Sequence, residues 1–133
     1  MHEIKLQDQT DAKSLTQAVL QITQMLGMYQ AELARVLGLQ CSDIGAFASA
    51  KTTLPTGSRA WDKATLFVRL YAQLYQYHHG DAVAMYHWLR ARHPELAASP
   101  LLLMVDEGRL AELVDWFDTA VAGSTQHAGE AKS

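Results

Sequence analysis

An all-α helical bundle is the fold class predicted for this 133-residue sequence, and three features predict it. Only three prolines occur, Pro55, Pro94 and Pro100, so helix breakers are few. Between them run Ala, Leu, Gln, Glu and Arg, side chains that lose little freedom in a helix. Clusters of β-branched residues bounded by turns, the mark of strands, are missing. With 49% hydrophobic residues in 14.7 kDa, the chain is long enough to bury roughly two thirds of its unfolded surface without disulfides or a structural metal.

Further bounds come from single residues and from charge. One cysteine, Cys41, cannot make an internal bridge, which fits a reducing cytoplasm. No apolar run reaches the roughly 18 residues of a membrane span, and Met-His-Glu-Ile-Lys lacks the charged-then-apolar order of a secretion signal. A cytoplasmic, non-membrane protein is the expectation. The formal charge of −3 neither announces a nucleic-acid binder nor forbids one with a local basic face.

Taken in order, the first helix is expected to be capped by Ser14, with Leu15, Val19, Ile22 and Leu26 forming one apolar stripe that ends at Gly27. A second runs from about Gln30 to Leu37 and stops at Gly38. A third lies near Cys41 to Ala50, with Ile44 and Phe47 inward. Thr52 to Gly57 is a connector, and Ser58 caps the longest helix, from Arg59 to about His79. Its apolar residues Trp61, Leu66, Phe67, Leu70, Tyr71, Leu74 and Tyr75 cover more than one face, so it is packed on two sides as a central spine. Gly80-Asp81 opens a fifth helix with Ala84, Met85, Trp88 and Leu89 buried, closed by Pro94. Ser99-Pro100 reads as an N-cap and first-turn proline for Leu101 to Val105. A last helix from about Arg109 buries Leu110, Leu113, Val114, Phe117 and Val121.

This divides the chain into a flexible N-terminus (1–13), a helix-turn-helix lobe (14–57), the central helix with a small C-terminal helical lobe (58–122), and a flexible tail (123–133). The helix-turn-helix reading rests on Ala34, Gly38, Ile44 and Phe47, spaced four, six and three apart. A small residue lets the second helix cross closely, glycine permits the tight turn, and branched and aromatic side chains fill the wedge. An αα corner with no nucleic-acid role satisfies the same pattern.

Candidate DNA contacts are Gln30, Gln40, Ser42 and Ser49, with Lys51 and Arg59 as phosphate partners. Between Ser14 and Thr56, Arg35 and Lys51 balance Glu32 and Asp43, so the segment is neutral. Phosphate neutralisation supplies most non-specific affinity, so such a module binds weakly unless a dimer adds contacts. His78, His79, His87 and His93 lack the i, i+4 spacing with a carboxylate of a helical zinc site, and read as helix-end and surface residues. Cys41 has no catalytic framework, and phosphate-cradling glycine loops are missing. Neither catalytic residues nor a metal or cofactor is therefore expected, and an enzyme or metal sensor using the histidines ranks last.

In the C-terminal half, Gly80-Asp81, Ala84, Trp88-Leu89, Pro94, Leu96, Ser99-Pro100, Leu103, Gly108 and Val114 follow an order that resembles the toxin-binding domain of the Xre/MbcA/ParS-like antitoxins. In that family the domain follows an Xre-like helical region, so the resemblance covers about Leu15 to Val121. It departs where the family tends to have glycine after the leucine: Leu96 is followed here by Ala97-Ala98. The resemblance implies an antitoxin that blocks a RES-type toxin acting on NAD through Trp88, Pro94, Ser99, Pro100 and Gly108, and that represses its own operon as a homodimer. A stand-alone helix-turn-helix regulator is the alternative.

Overall fold

The computed structural model describes residues 11–106 and 108–119, and every described element is helical. Six helices are α1 (Ala12–Met25), α2 (Gln30–Leu37), α3 (Cys41–Ala48), α4 (Arg59–Tyr77), α5 (Ala82–Arg90) and α6 (Pro100–Val105); a seventh, α7, covers 110–119. The terminal segments 1–10 and 123–133, Val121 and Glu107 lie outside the described residues.

Helix boundaries follow local chemistry. Asp11, not Ser14, caps α1: its Oδ1 accepts the Ser14 amide at 2.7 Å. Residues 11–13 therefore belong to α1 and its cap, because a carboxylate three residues before a free N–H is a better acceptor than a serine already inside the first turn. Ser58, Asp81 and Ser99 cap α4, α5 and α6 through their side-chain oxygens. α3 ends at Ala48, with Ala50 in the left-handed region at φ 64°. Likewise α5 ends at Arg90, before Pro94 is reached.

α4 is the spine. Ala60, Ala64, Phe67, Val68, Leu70, Tyr71 and Leu74 are buried along it. α1 and α2 pack on one side and α5 on another, while Arg69 and Gln73 reach Asp118 on α7, the arginine at 2.7 Å. A single cluster of buried side chains runs from Leu15 to Phe117. Each fully buried Leu or Phe contributes on the order of 1.5–3 kcal/mol of transfer free energy, so this shared core dominates stability. Tyr75, expected among the spine's apolar contacts, is 48% exposed: it stands in the last turn of α4, where its ring lies beside Gly80.

The N- and C-terminal helices also meet away from α4. α2 packs on α6, and Arg35 pairs with Asp106 at 2.9 Å. Arg90 on α5 donates to the carbonyls of Leu26 and Gly27, at 3.1 and 3.0 Å, satisfying acceptors that α1 leaves free at its end.

Candidate functional site

The α2–α3 corner has the geometry its spacing predicts. Gly38 takes φ 72°, ψ 32°, its N–H donates to Arg35 O and the Leu39 N–H to Ala34 O, closing α2 in a left-handed cap. Ala34, Ile44 and Phe47 are buried together.

Its polar residues are scattered. Gln40 and Ser42 stand at the N-terminal end of α3, Ser49 and Lys51 at the other, and Gln30 and Arg59 begin two different helices. All six are exposed. Asp43 accepts the Gln40 amide at 3.0 Å, so a carboxylate already occupies the end of α3 where a phosphate would profit from free N–H groups. Arg35 is committed to Asp106, leaving Lys51 as the cation of this segment with no ion-pair partner among the described residues.

The C-terminal half gathers aromatic rings instead. Trp88 on α5 lies 4.9 Å from His93, 5.2 Å from Phe117, 6.2 Å from Trp116 and 6.3 Å from His78, ring centre to ring centre. Tyr77 meets Phe117 edge-on at 5.5 Å. Phe117 is buried, Trp88 and Trp116 are half-buried, and Tyr77 is 51% exposed, so the cluster forms a shelf with one wet side. Trp88 and Ala84 are thus not core residues: α5 is only nine residues long and buries just Met85 and Leu89. His78 does stand at a helix end, as the C-cap of α4, but it and His93 are half-buried within this cluster rather than at the open surface.

Beside the shelf, residues 93–98 close on themselves. His93 N–H donates to Ala98 O at 3.2 Å, while Leu96 and Ala97 donate to His93 O at 3.0 and 2.9 Å. Ala97 stands at φ 59°. Pro94, Glu95 and Ala97 are exposed, and Ala98 is buried. Of the residues expected to face a partner, Trp88 and Pro94 present surface here, and Gly108 is exposed between α6 and α7. Ser99 is half-buried, its Oγ holding the Leu102 amide at 3.2 Å. Pro100 is buried: a first-turn proline has no N–H to leave unsatisfied, and its ring joins the apolar interior.

Sequence reasoning missed Tyr77 and His93. Tyr77 ends a helix already assigned to the core, and His93 lies five residues from Trp88, a separation with no helical meaning. A second aromatic surface was missed too. Arg90 sits 3.6 Å over the Tyr86 ring, which crowds Gly27, and Tyr71 donates to Met25 Sδ at 3.5 Å. Burial, with a smaller effect of neighbouring Tyr75, raises the Tyr71 phenol above its ordinary value.

Among the described residues no three His, Cys, Asp or Glu side chains gather as metal ligands, and no helix is long and apolar enough to cross a membrane. Set against models of known protein families and against curated proteins, the chain matches none.

Proposed function

We propose that this chain is the antitoxin of a type II toxin–antitoxin system, binding and sterically blocking a RES-type toxin that acts on NAD. The observation that carries the reading is Ala97. It occupies the position where the antitoxin family tends to have glycine, and its φ of 59° keeps a backbone that glycine adopts readily. A left-handed backbone at this position supports the reading, since it is one that the glycine of the resembled motif would adopt without strain. Ser99-Pro100 opening α6 and Gly108 preceding α7 sit in the same order.

Inhibition needs no chemistry from this chain. The Trp88–Trp116–Tyr77 shelf offers large, rigid rings that supply most hot-spot energy, and the exposed tip at Pro94, Glu95 and Ala97 supplies shape. In this reading the protein works in the cytoplasm as a homodimer. Co-purification with the product of the adjacent gene tests it: a stable complex and loss of toxicity are expected, and a neighbour that does not bind overturns it.

The left-handed Gly38 corner favours a second role, autorepression or stand-alone regulation by DNA binding. Arg35 and Asp43 are already engaged, so affinity depends on a dimer pairing two weak modules. Gel shift with the upstream region at low salt would detect it; no shift, alone or with the neighbouring protein, removes this role.

A further inference from the structure

We infer that His93 is a positioning residue that fixes the 93–98 turn in the shape presented to a partner; its recognition half rests on the antitoxin reading above. Helix α5 ends at Arg90, so the Trp88 carbonyl has no helical donor four residues on. His93 Nε2 donates to it at 2.9 Å, acting as a side-chain cap for the end of α5. The same ring lies on the Trp88 indole, 4.9 Å between centres and 37° between planes.

Its main chain organises the other side. The amide of His93 pairs with Ala98 O, and its carbonyl takes both the Leu96 and Ala97 amides. Pro94 holds His93 in the extended backbone this pairing needs. One residue thus ties the turn to α5 through its side chain and closes the turn through its backbone. Leu96, packed against the core, anchors the far side. A turn held at both ends gives up little freedom on binding, which preserves affinity.

Amide hydrogen exchange on the isolated protein tests the positioning. His93→Ala should speed exchange at the His93, Leu96 and Ala97 amides about tenfold while core amides of α4 such as Leu70 and Leu74 stay at the wild-type rate. His93→Gln, which keeps a donor near the Nε2 position, should recover part of that protection. Unchanged exchange in the turn, or an equal rise in α4, overturns the role. In a second arm the purified product of the adjacent gene is the probe, and His93→Ala should bind it about tenfold more weakly. If wild type does not bind that protein, the antitoxin reading fails and the exchange result stands alone; if wild type binds and His93→Ala binds equally well, the recognition half is overturned.

Discussion

The Thr16 hydroxyl accepts the amide N–H of Leu54 at 2.9 Å, across 38 residues of chain, while donating to Ala12 O at 2.6 Å. Both residues are buried, Thr16 at 3% and Leu54 at 1% exposure. One hydroxyl therefore fastens the loop before α4 to α1 and supplies the acceptor for a buried N–H.

Thr16→Val should leave that N–H unsatisfied at nearly constant volume. The expected cost is about 1–3 kcal/mol, a fall in Tm of roughly 4–12 °C. Thr16→Ser keeps the oxygen and should cost about half as much or less. Thermal melting followed by circular dichroism separates them, and equal losses would show that packing of the methyl group dominates.

Ala50 and Ala97 both hold left-handed backbone, at φ 64° and 59°. A Cβ there costs on the order of 1 kcal/mol, more than the added freedom glycine brings to the unfolded chain. Ala50→Gly and Ala97→Gly should each raise stability by about 0.5 kcal/mol, whereas Ala64→Gly inside α4 should lower it by about 1 kcal/mol or more. Urea midpoints at unchanged slope are the measurement.

Gly27 presents the reverse case. It lies at φ 69°, and a Cβ on it would stand 2.8 Å from the Tyr86 ring. Gly27→Ala should destabilise by about 1–3 kcal/mol through backbone strain and a displaced ring. In a Tyr86→Ala background, which also lacks the Arg90–ring stack, Gly27→Ala should cost less by its steric part, so an undiminished cost relative to Tyr86→Ala would place the whole effect in the backbone.

Asp11 carries a pH dependence of known sign. The Ser14 amide, followed by the Ser14 side chain, holds its carboxyl below the ordinary 3.8, against a small opposing effect of desolvation. A carboxylate with a lowered folded value stabilises α1 fully above the unfolded value and stops doing so as pH falls through the folded one. The Ser14 amide shift should therefore titrate below pH 3.8, and Asp11→Ala should abolish the step.

Helix number, the spine and the α2–α3 corner were legible because they depend on near neighbours. The 3.6-residue period of Leu15, Val19, Ile22 and Leu26, and the Gly38 stop between two apolar runs, are written within a few turns of chain. The α1 cap was misplaced by three residues because Asp11 and Ser14 are both competent caps, and only the direction of the hydrogen bond separates them. Pro100, which the resemblance places on a partner-facing surface, is buried; Ser-Pro says where a helix starts and nothing about which way its first turn faces.

Local pattern thus specified an all-α chain with its breaks and most of its buried stripe, since rotamer freedom, caps and turn backbone are properties of short segments. Folding settled which half-buried residues become a surface. Trp88, His93 and Trp116 meet, with Tyr77 joined to them through Phe117, because α5, the 93–98 turn, α7 and the end of α4 converge, and Arg35 is paired because α2 packs on α6. Such contacts depend on where helices cross, and no period within a single helix encodes the crossing.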